Sequence, residues 1–263
     1  MKIGISTASL YPLHTEDALL EVAKLGVKNV EIFLNSVNEL EGEVFAHMQN
    51  TIREYDMKLV AAHPFSTPME TLFLFSSYDR RVNEIMDLYR HYFDLINRLG
   101  GENALFVIHG AIKSAKCSDE CYIERLGNLI QAGRQQNITV IQENVCYCKS
   151  GSVDFLEKLA CTLGDSVKFT LDIKQARRSG LEPSEIVRRL KDKITHLHLS
   201  DADEEHDCLP LGKGNFDFAL FFDELKQVEF KGSAVVELYR DNYGEYSELS
   251  DSVNFLKKLL EKP

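Results

Sequence analysis

Short apolar, β-branched runs recur along the chain, separated by stretches whose apolar positions follow a helical period. The runs fall at 2–7 (KIGIST), 27–34 (VKNVEIFL), 58–63 (KLVAAH), 104–109 (ALFVIH), 138–143 (ITVIQE), 167–172 (VKFTLD), 194–198 (ITHLH) and 233–238 (SAVVEL). Most are nearly continuous in apolarity, the pattern of parallel strands covered on both faces. Between the first two, 15–25 (TEDALLEVAKL) lets Ala18, Leu19, Val22, Ala23 and Leu25 share one helical face, with Gly26 to end it. The segments 79–99, 118–134 and 152–163 read the same way, with Gly100 and Gly101 after the first and Gly164 after the last. Strand then helix, repeated about eight times, predicts an α/β fold: a (β/α)₈ barrel in a single domain spanning 1–263. An open doubly wound sheet would put the last run at an edge, and Val235 and Val236 are too apolar for that place.

Composition narrows the setting. At 263 residues and 44% hydrophobic, the chain is long enough for one large core that buries roughly 75% of the unfolded surface, and no linker or low-complexity tract divides it. The absence of an apolar run of about 18 residues, together with an opening that reads as a strand, predicts a cytoplasmic protein without a membrane partner. A net charge of −11 disfavours nucleic acid as partner. The six cysteines fit neither a paired-Cys zinc module nor a secreted disulfide framework, so reduced thiols are expected. A homo-oligomer is left open.

Chemistry enters with the residues that end the runs. Six runs carry His63, His109, Glu143, Asp172, His198 and Glu237 at or next to their carboxyl ends. In a barrel of this topology those ends line one rim, so side chains far apart in sequence converge. Several carboxylates in one mouth raise one another's pKa unless a cation or shared protons neutralise them. Glu143, Asp172, His198 and Glu237 come from the last four strands and are taken as the ligands of one divalent metal ion. This mostly hard oxygen set suits Mn²⁺ or Mg²⁺, with Co²⁺ and Zn²⁺ able to enter. His63 and His109, across the rim, are left for substrate or a second ion. Glu31 is read as a carboxylate that orients His63 or as a salt-bridged barrel residue, and Tyr11, Phe33, Phe65 and Tyr239 as walls of a pocket.

The segments AAHP (His63), VIHG (His109), IQENV (Glu143), LDIKQ (Asp172), HLHLSD (His198), LPLGKGNFDF (209–218) and VVELY (Glu237) resemble, in order, the xylose-isomerase-like barrel superfamily of sugar-phosphate isomerases, epimerases and apurinic endonucleases. The resemblance implies one Mn²⁺-type ion held by Glu143, Asp172, His198 and Glu237. It also implies that Glu143 and Glu237 serve as the acid/base pair through an enediolate on a small sugar, sugar phosphate or keto-polyol. Dehydration of a keto-inositol or hydroxy-keto acid starts with the same proton abstraction and is the alternative; a sugar-binding barrel without turnover is another.

Departures from the family pattern bear on specificity. Gln175 stands where many relatives carry a metal-binding histidine, and amides ligate transition metals poorly. His206 and Cys208 stand where the endonuclease branch has Asp and His, which removes a ligand from a trinuclear zinc cluster and demotes abasic-site cleavage. Lys149 and Glu204 replace the glutamate and arginine of ketose 3-epimerases. Gln175, His206 and Lys213, the last in a Gly-Lys-Gly turn that could meet a phosphate, join His63 and His109 as expected substrate contacts. The pairs Arg177-Arg178 and Arg188-Arg189 are read as solvated helix faces.

Overall fold

In the computed structural model, which describes residues 1–65 and 67–261, each apolar run forms a strand. These are β1 (Lys2–Ser6), β2 (Asn29–Leu34), β3 (Lys58–Pro64), β4 (Leu105–Ile108), β5 (Thr139–Glu143), β6 (Phe169–Asp172), β7 (Ile194–Leu199) and β8 (Ser233–Val236). All pair in parallel in chain order, and β8 closes on β1 with Gly4 opposite Val235. The fold is therefore a closed (β/α)₈ barrel. His109 and Glu237 fall one residue past β4 and β8; the Glu237 amide still donates to the Leu199 carbonyl at 3.0 Å, so the ladder geometry reaches it.

Helices α1 (Thr15–Lys24) and α2 (Gly42–Glu54) follow β1 and β2. After β3 come α3 (Thr67–Met69), a π-helical turn (Glu70–Leu74) and α4 (Asp79–Arg98). Helices α5 (Asp119–Gln135) and α6 (Val153–Leu163) follow β4 and β5, α7 (Ile173–Arg178) and α8 (Pro183–Leu190) follow β6, and α9 (Phe218–Gln227) and α10 (Ser247–Leu260) complete the ring. Ser118 and Ser152, expected as first residues of helices, are their N-caps, accepting from the amides of Cys121 and Phe155. Among the described residues no helix is long and apolar enough to cross a membrane.

The main core lies between helices and barrel. Phe106 of β4, fully buried, meets Tyr89 and Phe93 of α4 edge-on at ring-centroid distances of 5.3 and 5.1 Å, and each such side chain contributes about 1.5–3 kcal/mol by leaving water. A separate small cluster of Ala61, Val107 and Ile141, from β3, β4 and β5, packs apart from it.

Candidate metal and active site

A strand repeats its facing every two residues. One such step beyond Ala61, Val107 and Ile141 toward the carboxyl ends are His63, His109 and Glu143. The same step leads from Thr170 to Asp172, from His196 to His198 and from Val235 to Glu237. A layer that is apolar on β3, β4, β5 and β8 and holds Thr170 and His196 on β6 and β7 is thus topped by a layer of acids and imidazoles on six strands.

The hub of that layer is Nδ1 of His198. It lies 3.5 Å from Glu237 Oε2, 3.9 Å from Glu143 Oε1 and 3.9 Å from Asp172 Oδ2. Ligand atoms of Glu143, Asp172 and His198 all fall within 4.8 Å of one another. Ligands bound to one ion at about 2.1 Å stand about 3–4 Å apart, so a small contraction would bring the four atoms onto a common centre. Among the described residues, His198 Nδ1 and Asp172 Oδ2 are buried side-chain atoms with no hydrogen-bond partner, which is costly unless something else satisfies them. The donor set of three carboxylates and one imidazole fits a divalent cation of the Mn²⁺ or Zn²⁺ kind.

Hydrogen bonds behind the ligands set their protonation. His198 Nε2 lies 3.2 Å from Glu31 Oε2, and His196 Nε2 lies 3.0 Å from the same oxygen; Ser6 Oγ donates to Glu31 Oε1 at 3.0 Å. A carboxylate only accepts, so His198 carries its proton on Nε2 and can turn the Nδ1 lone pair into the cage. Burial would raise Glu31's pKa, but the charges and hydrogen bonds of His198 and His196 hold it well below the usual carboxylate range. Burial likewise opposes a second proton on His198, yet the negative field of Glu31, Glu237 and Glu143 raises its pKa well above the ordinary value. Burial, reinforced by the charges of Glu143 and Glu237, pushes Asp172 up to about 6.

Each glutamate turns one oxygen to the hub and the other to side-chain nitrogens. Glu143 Oε2 is 3.2 Å from His63 Nε2 and 3.3 Å from His109 Nε2. His63 Nδ1 faces the Pro64 carbonyl at 2.8 Å, so both its nitrogens point at acceptors and the ring is attracted to both only as imidazolium; in keeping with this, Glu143 outweighs burial and raises its pKa. Glu237 Oε1 accepts from Lys174 Nζ at 3.4 Å. Lys174 also lies 3.3 Å from Asp172 Oδ2, close enough for an ion pair but not aligned for a hydrogen bond. Burial works against the Lys174 charge, and Asp172 and Glu237 more than restore it.

His63, His109, Glu143, Gln175 and Glu237 line one open cavity of about 750 Å³. Tyr11, Phe33 and Tyr239 also line it, as the sequence led us to expect, with Tyr147 in addition. Gln175 Oε1 accepts from the Cys146 amide at 3.1 Å. His206 and Lys213 lie elsewhere. His206 is exposed beside Asp203 at 3.2 Å, and the amides of Gly212 and Gly214 flanking Lys213 are taken by Asp201 Oδ2 at 2.9 and 3.0 Å. The anion in that turn is the protein's own carboxylate. Lys149 is tied to Asp119 at 2.9 Å, and Glu204 is exposed.

Of the two roles expected for Glu31, it takes that of a barrel residue paired with imidazoles: it hydrogen-bonds His196 and His198, and His63 is held by Glu143 instead. Arg178 is exposed, as expected of a solvated helix face, but α7 starts directly after Asp172, which also brings Arg178 to the cavity wall with Nη1 2.8 Å from the Tyr239 hydroxyl. Sequence reasoning missed Lys174, whose placement next to the acids depends on that immediate helix start. It also missed His196, although the two-residue step from His198 put it on the same face.

Solved structures share the whole architecture. A D-tagatose 3-epimerase-like protein superposes with a TM-score of 0.81 at 20% identity, covering 99% of this chain and 97% of its own. D-allulose 3-epimerase from Methylomonas sp. gives 0.79 at 16% identity, with 98% of each chain covered. The IOLI protein, solved with a bound zinc atom, gives 0.76 at 18% identity over 99% of this chain and 96% of its own. At such identities the likeness establishes the fold. The family assignment rests on the sequence itself, which matches the family profile over residues 19–259: the chain belongs to the xylose isomerase-like TIM barrel family.

Proposed function

We propose that this protein is a divalent-metal-dependent isomerase or epimerase of a small keto-sugar or keto-polyol. The observation that carries the reading is a division among the four ligand candidates. Asp172 and His198 are buried and do not line the cavity, whereas Glu143 and Glu237 do. Two residues therefore only hold, and two both hold and face substrate. A divalent ion bound there would polarise neighbouring carbonyl and hydroxyl oxygens of a sugar and acidify the hydrogen between them.

The rest is done by the chain. Glu143 and Glu237 supply the two proton-handling carboxylates that an isomerisation needs, one to take the proton and one to return it to the opposite face or the neighbouring carbon. His63 and His109 keep Glu143 ionised and oriented through its outer oxygen, and Lys174 holds the outer oxygen of Glu237 in place. Gln175, at the cavity wall, offers an amide to a substrate hydroxyl. The D-tagatose 3-epimerase-like and D-allulose 3-epimerase neighbours support a ketohexose-sized reacting group.

The test is exchange chemistry. Protein loaded with Mn²⁺ is incubated in D₂O with ketohexoses, glycosides bearing a ring ketone, keto-inositols and hydroxy-keto acids and followed by proton NMR. Deuterium should enter next to the carbonyl of one class with an isomer of equal mass (label aside) appearing, and Glu143→Gln or Glu237→Gln should slow it about 10²–10⁴-fold. Loss of water from the product would assign a dehydratase instead, and no exchange with any class would overturn the reading.

A further inference from the structure

We infer that the outer half of the cavity is a subsite for a second, flat ring, so that the substrate is a glycoside and not a free sugar; this deepens the proposed function and rests on it. The first observation is size. A space of about 750 Å³ belongs to the range of roughly 300–1,000 Å³ that takes drug-sized ligands, and a single hexose at the Glu143/Glu237 floor would leave much of it unfilled.

The second is what walls the remainder. Tyr11, Tyr147 and Tyr239 line the cavity yet are 62%, 50% and 43% exposed. Tyr11 follows β1 and Tyr239 follows β8, which are neighbours, whereas Tyr147 follows β5 on the opposite side of the barrel. The rings thus stand on both sides of the mouth, above the acids. Tyr239 is braced in place, since its hydroxyl accepts from Arg178 Nη1 at 2.8 Å and Lys174 Nζ lies 4.8 Å from its ring centre. Rigid exposed aromatic surface facing into a cavity suits a ligand with a flat apolar face, such as an aryl group or the hydrogen-bearing face of a second sugar.

The third is charge. Of the Lys and Arg side chains that line the cavity, Lys174 is paired with Asp172 and Glu237 and Arg178 with Asp207 at 2.6 Å, while Arg240 donates to the Tyr243 carbonyl at 2.7 Å and shares the lining with the acids Glu143, Glu237 and Asp241. A neutral ligand is favoured over a phosphorylated one. In a glycoside the anomeric carbon is blocked, so the carbonyl that acidifies the migrating hydrogen must sit on a ring carbon, and the reaction that supplies the substrate is oxidation of a ring hydroxyl.

The experiment compares ligands sharing one sugar. Calorimetry on Mn²⁺-loaded protein measures binding of methyl and phenyl 3-keto-β-D-glucopyranoside, the corresponding 3-keto-disaccharide and a free ketohexose. The phenyl glycoside, the disaccharide or both should bind about 5- to 50-fold more tightly than the methyl glycoside, and which of them gains tells an aryl from a sugar aglycone. Tyr11→Ala and Tyr147→Ala should each shrink that ratio several-fold. Equal binding of all glycosides, or a ratio unmoved by both substitutions, overturns the subsite while leaving the isomerase reading intact if the free ketose still exchanges its hydrogen. Failure of every sugar to bind or exchange overturns both.

Discussion

The carboxylate of Glu31 lies 3.2 Å from Nε2 of His198, and this contact decides which nitrogen of the imidazole faces the acids. With Nε2 donating, Nδ1 is left as a ligand atom at the centre of Glu143, Asp172 and Glu237. Glu31→Gln removes a charge and an obligate acceptor while keeping the shape, so affinity for Mn²⁺ should fall about 10–100-fold, read by competition with a chelator. Unchanged affinity in a folded variant would show that His198 is oriented by something else.

Metal binding should depend on pH with a definite sign. Asp172 holds its proton up to about 6 in the folded chain, against an ordinary value of 3.8, and a cation needs the carboxylate. Affinity is therefore lost as the pH falls through about 6 and Asp172 takes its proton; the raised pKa of His198 acts in the same direction and extends proton competition to higher pH. For metal-free protein the linkage runs the other way. A raised folded pKa contributes stability that is present below about 3.8 and lost as the pH rises through about 6. At a hundredfold excess over Kd, Mn²⁺ adds about 2.7 kcal/mol, or roughly 5–10 °C of melting temperature, at pH 8. The increment should shrink steadily below pH 6, and one independent of pH would contradict the assignment of Asp172.

Lys174 competes with the metal for the same acids. Its ammonium pairs with Asp172 and Glu237 at 3.3 and 3.4 Å from a buried position. Lys174→Met leaves buried carboxylates facing one another, costing the metal-free protein about 3–5 kcal/mol, and a divalent cation repairs most of that loss. The melting temperature should therefore drop without metal, and the rise on adding Mn²⁺ should exceed that of the unaltered protein. A smaller rise would mean that Lys174 assists binding instead.

The rim at β4 and β5 hangs on one amide. Tyr122 donates to Gln142 Oε1 at 2.6 Å, and Gln142 Nε2 reaches the carbonyls of Ile108, His109 and Glu143. Gly110 makes the turn there at φ +89°, where an added Cβ would strike the Tyr122 hydroxyl. Tyr122→Phe strands a buried acceptor and should cost about 1–3 kcal/mol, seen as a lower urea midpoint. No change in midpoint would show that Gln142 finds another donor.

The barrel was legible in the sequence because parallel strands buried on both faces need continuous apolar runs, and β3 or β5 could not read as anything else. The ligand layer was legible because His63, Glu143, Asp172 and His198 interrupt those runs at their ends. Lys174 was not, since its neighbourhood follows from α7 beginning without a loop after Asp172, and a loop of even a few residues would have carried it away. Lys213 illustrates the converse: the Gly-Lys-Gly signal for an anion site is real, but Asp201, 11 residues before Gly212 and just past β7, supplies the anion.

The proposed chemistry requires Glu143, Asp172, His198 and Glu237 to surround one cation. Crystals grown with Mn²⁺ and measured at its absorption edge should give an anomalous peak about 2.0–2.3 Å from His198 Nδ1 and from an oxygen of each of the three acids. A peak bound elsewhere, or none at saturating Mn²⁺ and pH 8, would contradict it.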